Sequence, residues 1–191
     1  MTRLRLLLLV ALLAGLAPLS AASAAGRYDD APEQYASYEP QTKCRRAVQP
    51  GTRELAGWIH RRFGGGKPVV AVRSCRTGGS SEHKDGRAID WTMDATRKAH
   101  RRQVARFLDR ILAADRAGNP HALARRMGIM YVIWNDRMWA SYDEFRVKPY
   151  RSSSCKKLST CPATLRHRDH VHISLSKAGG RATTSWYAAR G

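Results

Sequence analysis

Residues 165–175 of this chain read Leu-Arg-His-Arg-Asp-His-Val-His-Ile-Ser-Leu and constrain the fold more than any other segment. Three of the seven histidines fall within six residues, and the last two are separated by one. Side chains alternate across a strand with period two, so a strand over residues 171–175 sends His170 and His172 to the same face. A second packet, Ser-Glu-His-Lys-Asp-Gly-Arg-Ala-Ile-Asp at 81–90, adds His83 and, beyond a turn that Gly86 permits, Asp90. Asp90 lies in the apolar run Ala88-Ile89-Asp90-Trp91, where a carboxylate is costly to bury without a metal or a hydrogen-bond partner. One of the many arginines is the plain alternative partner.

Two histidines and an aspartate make a zinc set with its fourth position open, the arrangement that separates catalytic from structural zinc. His83, Asp90 and His172 are the expected ligands of one Zn²⁺ ion. Such an ion lowers the pKa of a bound water to near 7. His170 is then placed to take the water's proton and pass it to a leaving amine. His167 is a second candidate for that task, or an orienting partner for His170.

The N-terminus reads as an address. Arg3 and Arg5 precede an apolar run at 6–17, and Ala22-Ser23-Ala24 forms a small-residue cleavage site. A secretory signal over residues 1–25 is expected. The run falls short of the roughly 20 residues needed to span a bilayer, and no later segment does so. In an exported chain, Cys44, Cys75, Cys155 and Cys161 suggest two disulfides. Three pairings are open; Cys44–Cys75 and Cys155–Cys161 are favoured, because the second closes a short polar loop and the first ties the N-terminal arm to the site-bearing region. A zinc–thiolate site is disfavoured, since no Cys-x-x-Cys spacing occurs.

The formal charge is +19, two units of which leave with the signal. Such a field favours polyanions, whether wall teichoic acid, anionic envelope or nucleic acid, with no specific nucleic-acid partner expected; the equal alternative is that the arginine excess reflects the base composition of a GC-rich genome. A monomer is expected. After a non-periodic arm at 26–50, one domain at 51–191 is predicted. Thr52 can cap a helix that buries Leu55, Trp58, Ile59 and Phe63 before Gly64-Gly65-Gly66 stops it. Short strands are predicted at 69–72 and 88–93. A long helix is predicted from Asp94 or Thr96 to about Arg116, burying Val104, Phe107, Leu108, Ile111 and Leu112. Its arginines read as a solvated face. Asn119-Pro120 opens another helix that ends near Gly128. Residues 129–134 and 138–141 form a hairpin around 135–137, and 146–164 a polar loop. His60, His100 and His121 read as surface residues. Helices and hairpin-linked strands interleave without a βαβ rhythm, so the class is α+β.

Ser81-x-His83-x-x-Gly86-x-Ala88-x-Asp90 followed by His170-x-His172 resembles the LAS metallopeptidases, the group of D-alanyl-D-alanine carboxypeptidases and murein endopeptidases. The first packet looks like the carboxypeptidase branch. The ending, with His167 ahead of the pair, is closer to the penicillin-insensitive murein endopeptidases. Residues 128–134 and 169–174 also resemble a group of secreted actinobacterial and fungal proteins. The resemblance implies a hedgehog/D,D-peptidase-like fold, a small antiparallel sheet flanked by helices. It implies zinc at His83, Asp90 and His172, and a histidine base at His170 aided by His167. Substrate contacts are implied at Ser81 and at Arg73, whose guanidinium suits a bidentate grip on a carboxylate. The expected function is a secreted zinc hydrolase cutting an amide bond in peptidoglycan peptides. A non-catalytic envelope-binding module with a relic metal site is the first alternative, its aromatic residues Tyr131, Trp134, Trp139 and Tyr142 stacking on sugars. A secreted metal-dependent nuclease is the second.

Overall fold

The first helix, α1 (Pro50–Phe63), opens on a proline whose fixed φ suits the first helical turn. It buries Leu55, Ile59 and Phe63 and ends at Gly64, whose φ of 64° takes the chain out of the helix. Gln49 stands at the N-cap position. Thr52, expected to cap, instead donates its hydroxyl to the carbonyl of Gly86 at 2.9 Å and so ties α1 to the loop that carries His83. The computed structural model describes Tyr28 and residues 30–190; the expected signal at 1–25 lies outside the described residues.

Among the described residues, six strands form one sheet: β1 (Pro68–Val69), β2 (Ala88–Thr92), β3 (Ile129–Trp134), β4 (Arg137–Ala140), β5 (Val147–Pro149) and β6 (His170–Leu175). Their order is β1-β2-β6-β3-β4-β5 and every pair is antiparallel. With helices to one side, this is the expected α+β class. The last strand in the chain lies between β2 and β3, so the centre of the sheet closes only through contacts distant in sequence.

The register divides the sheet into two faces. Ile89, Trp91, Val132, Trp134, Val171, Ile173 and Leu175 pack with α1 and with Val104, Phe107 and Ile111 of α2 (Lys98–Leu112). Each fully buried Leu, Ile, Val or Phe there contributes about 1.5–3 kcal/mol. On the other face, Asp90 lies opposite His172, which lies opposite Ile133; Ala88, Ser174 and Tyr131 form the next row. That second face carries the polar chemistry.

Several elements depart from the sequence reading, for local reasons. Helix α2 starts later than predicted because the Asp94 carboxylate accepts from the Thr96 N–H and hydroxyl at 2.8 and 2.7 Å, a turn that competes with helix. Asn119 bonds Asp115 instead of capping, and α3 (Ala122–Arg126) follows His121 in the left-handed region. The β3–β4 turn has two residues, Asn135 and Asp136, both at positive φ as a type I′ hairpin requires. The polar stretch at 146–164 is not all loop: Val147–Pro149 adds an edge strand, where a proline is tolerated. Strand β1 is shorter than predicted, because the chain leaves the sheet after Val69 and the Arg73 N–H bonds the His83 carbonyl at 3.3 Å. Two short helices, α4 (Lys177–Gly180) and α5 (Ser185–Ala188), were not legible.

Among the described residues of the arm that precede α1, none lies in a helix or strand, but arginines hold the arm. Arg126 and Arg125 donate to the carbonyls of Asp30 and Glu33, both at 2.6 Å, and Arg87 to that of Glu39 at 2.7 Å. Disulfides join Cys44 to Cys75 and Cys155 to Cys161. Among the described residues, no helix is long and apolar enough to cross a membrane.

Cys44 and Cys75 are 31 residues apart, and Cys155 and Cys161 only 6. Loop-closure entropy scales with that separation, so removing the first bridge should cost about 3–4 kcal/mol and the second about 2. Denaturant unfolding of the two Cys→Ser double variants should show that order.

Candidate metal centre

Strand pairing brings the two packets together. Asp90 and His172 are direct cross-strand partners, which sets their Cβ atoms about 5 Å apart on one face. His83 reaches the same place from the loop that precedes β2. Gly86 turns that loop at φ 75°, and a Cβ there would come within 2.7 Å of the Ala47 carbonyl. Arg87, fully buried, holds the loop from beneath through Asp85 at 2.9 Å and the carbonyls of Leu175 and Glu39.

Asp90 Oδ1 lies 3.1 Å from His83 Nε2 and 3.1 Å from His172 Nδ1. One ligand atom from each of the three residues falls within 4.8 Å of the others. Ligands at 2.0–2.2 Å around a tetrahedral ion stand about 3.4 Å apart, so the set fits a divalent cation. The side chains of His83 and His172 are 3% and 10% exposed, whereas Asp90 keeps 18% of its side chain open. The group can therefore hold a metal with one side facing solvent.

Electrostatics agree with a ligand set. Burial opposes ionisation of Asp90, but hydrogen bonds from His172 and His83 outweigh it and hold its carboxyl far below the usual range. Burial lowers the pKa of His172 against the pull of Asp90, which favours the neutral ring a metal needs.

The other expected site residues gather around this group. His170 turns Nε2 towards Asp90 Oδ1 at 3.7 Å, and its Nδ1 meets the Asp169 carboxylate at 2.6 Å. His167 packs on His170 with ring centroids 4.8 Å apart, its backbone at φ 51°. Its position is fixed from the hairpin: the Asn135 N–H donates to the His167 carbonyl at 2.7 Å, and Arg166 grips Asp136 with two bonds. Burial, then repulsion from the charged forms of His172 and His170, holds the His167 pKa down to about 3. Arg73 is half-exposed and donates to Asp90 Oδ2 at 2.7 Å, so the carboxylate offers Oδ1 to the imidazoles and Oδ2 to the guanidinium. The alternative partner for Asp90 and the ligand set thus coexist. Ser81 is anchored through its backbone, its N–H to Gln41 Oε1 and its carbonyl to the Lys84 N–H.

Residues outside the expected set complete the surroundings. The His172 Nε2 meets Ser174 Oγ at 2.9 Å, Tyr131 stacks on the His172 ring at 5.6 Å, and the Tyr131 hydroxyl donates to Glu82 Oε2 at 2.6 Å. Burial, then the Glu82 carboxylate, raises the Tyr131 pKa, which keeps the hydroxyl protonated. Adjacency was the only sequence signal: Glu82 precedes His83, Asp169 precedes His170, and Ser174 follows His172 by two. Tyr131 and Trp134 are buried, so they are core; Tyr142 is exposed and packs edge-on to Tyr38. His60 is exposed, His100 accepts from the Asp94 N–H, and His121 bonds the Tyr35 hydroxyl, all apart from the cluster. A cavity of about 210 Å³, lined by Glu33, Glu39, Arg125, Ser141 and Thr184 among others, holds no residue of the metal group.

Fold and site together define an α+β domain with a His/Asp/His group that could hold a metal ion on the sheet face opposite α1 and α2. Residues 44–157 match the family described as VldE, C-terminal domain, and this chain belongs to that family. The matched region contains His83 and Asp90 and ends before the histidines of β6 and its approach. No curated protein and no solved structure matches the chain.

Calorimetric titration of the purified protein with a divalent transition metal should give one equivalent bound. Asp90→Asn or His83→Ala should abolish that binding, and His60→Ala should leave it unchanged. Gly86→Ala should destabilise the fold by about 1–3 kcal/mol through strain at its positive φ.

Proposed function

We propose that this chain is a secreted zinc-dependent hydrolase that cuts an amide bond in peptidoglycan peptides. The observation that carries the reading is the meeting of His83, Asp90 and His172 around one point with His170 beside them. His83 Nε2, Asp90 Oδ1 and His172 Nδ1 would hold the ion. Zinc in such a set supplies Lewis acidity towards a carbonyl oxygen and an acidified water. A two-nitrogen, one-carboxylate donor set suits zinc better than magnesium or calcium.

The chain's own groups then do the following. Asp169 fixes the proton of His170 on Nδ1, leaving the Nε2 lone pair turned towards the metal group. That nitrogen accepts the proton of the attacking nucleophile and returns it to the leaving amine. His167, held neutral, keeps the His170 ring in place by contact. Arg73 keeps part of its guanidinium in solvent, where its remaining N–H groups can meet a peptide carboxylate. Two disulfides and the apolar leader with its small-residue end support export. The basic surface supports retention near anionic envelope polymer.

A binding role has one observation in its favour, the exposed pair Tyr38 and Tyr142, 53% and 45% open and 5.8 Å apart, which suits contact with sugar rings. Digestion of purified muropeptides followed by mass spectrometry separates the readings. The zinc-loaded protein should release peptide fragments, and His170→Ala should reduce the rate by about 10²–10⁴-fold while retaining the ion. Wall binding that persists without any fragment would instead identify an envelope-binding module. Cleavage of plasmid DNA would identify a nuclease.

A further inference from the structure

We infer that the exposed face of α2 is a docking surface for a phosphodiester polymer of the cell envelope, of the poly(glycerol phosphate) kind. The choice of an envelope polymer rests on the export contained in the proposed function, whereas the surface rests on the helix alone. Helix α2 and the Arg97 before it carry six cations and one acid, Asp109.

Lys98, Arg102, Arg106 and Arg110 follow one another at intervals of four. Four residues advance an α-helix by about 6 Å and slightly more than one turn, so these side chains form one row about 18 Å long. All four are exposed, and the row faces outward because Val104, Phe107 and Ile111 of the same helix are buried against the sheet. Like charges at this spacing repel and weaken a helix. Acids are favoured in a first turn, where the helix dipole is positive, yet the first turn of α2 has none and Arg97 stands at its N-cap. Among the described residues, no carboxylate forms an ion pair with any cation of the row. Acids serve other cations: Asp115 meets Arg126, Asp136 meets Arg166, and Asp143 meets both Arg146 and Lys148. The helix thus carries uncompensated charge against its own stability, and an anionic chain is the ligand that neutralises it.

The row reads charge and nothing else. Single-stranded nucleic acid is held by stacking on aromatic side chains as well as by cations. In α2, Phe107 is buried and the His100 ring accepts from the Asp94 N–H at 2.9 Å, so this face offers no ring for a base. A polymer of repeating phosphates without bases asks only for spaced cations. The sheet lies between the row and the metal group, since α2 packs on the face opposite Asp90 and His172. Polymer held on α2 therefore leaves the metal face open to a peptide.

Fluorescence anisotropy of labelled poly(glycerol phosphate) over a salt series tests the surface. Log affinity should fall linearly with log salt at a slope of about −3, roughly −0.7 for each of four phosphates. The Arg102→Gln/Arg106→Gln variant should bind about tenfold more weakly and flatten the slope by about 1.4. Lys156→Gln/Lys157→Gln removes the same charge from the exposed loop closed by Cys155–Cys161, and should leave affinity within about twofold. Asp109→Asn should tighten binding. Glutamine is a good helix former and its substitution relieves repulsion, so the unfolding midpoint should not fall in the α2 variant. Binding should be the same in His83→Ala and in the presence of a metal chelator. Equal losses in the two double variants, loss with chelator, or no binding at low salt would overturn the surface. Tighter binding of DNA of equal charge would overturn the envelope polymer as its occupant. Failure to cleave muropeptides with docking intact would overturn the hydrolase and leave the surface standing.

Discussion

Strands β2 and β6 pair antiparallel with Asp90 opposite His172, and the rest of the site depends on that register. A slip of one residue would turn Asp90 and His172 into the apolar layer and bring Ile89 and Ile173 to the polar face. The buried row Ile89, Trp91, Val171 and Ile173 forbids this, because those side chains fill the space against α1 and α2. The core therefore does more than stabilise the fold. It fixes which atoms face one another on the opposite side of the sheet.

Around that pair, the remaining parts are held by short-range devices. Thr52 and Arg87 fasten the loop that carries His83, and the Asp136–Arg166 pair fastens the approach to β6 that carries His167. The result is a group of polar residues whose positions are set from three directions. Such over-determination is what a metal site requires, since ligand atoms misplaced by an ångström no longer close on one ion. Membership in the VldE C-terminal domain family covers the first of the two ligand packets, and the second lies beyond the matched residues.

The residues of the metal group were legible in the sequence because each packet is local. Spacing of two in His170–His172 and the Gly86 turn before Asp90 are properties of a few consecutive residues. The α+β class and the two main helices were legible for the same reason, whereas the Cys44–Cys75 bridge, between residues 31 apart, was favoured among three pairings because it ties the arm to the site-bearing region. What was not legible depends on distant pairing. No pattern announces that the last strand inserts beside β2, or that Tyr131 faces Ser174 after an irregularity in register. Local competition explains the smaller misreadings: the Asp94 side chain holds a turn where a helix start was predicted, and Val147–Pro149 becomes a strand only because β4 offers an edge. Glu82 was passed over because a glutamate in a polar loop reads as solvated until its partner, 49 residues on, is known.

X-ray absorption at the zinc K-edge of the zinc-loaded protein tests the central claim most directly. The account predicts a first shell of nitrogen and oxygen alone at about 2.0–2.2 Å, with the outer-shell scattering of two imidazoles. A shell containing sulfur at about 2.3 Å, or one lacking imidazole scattering, would contradict it.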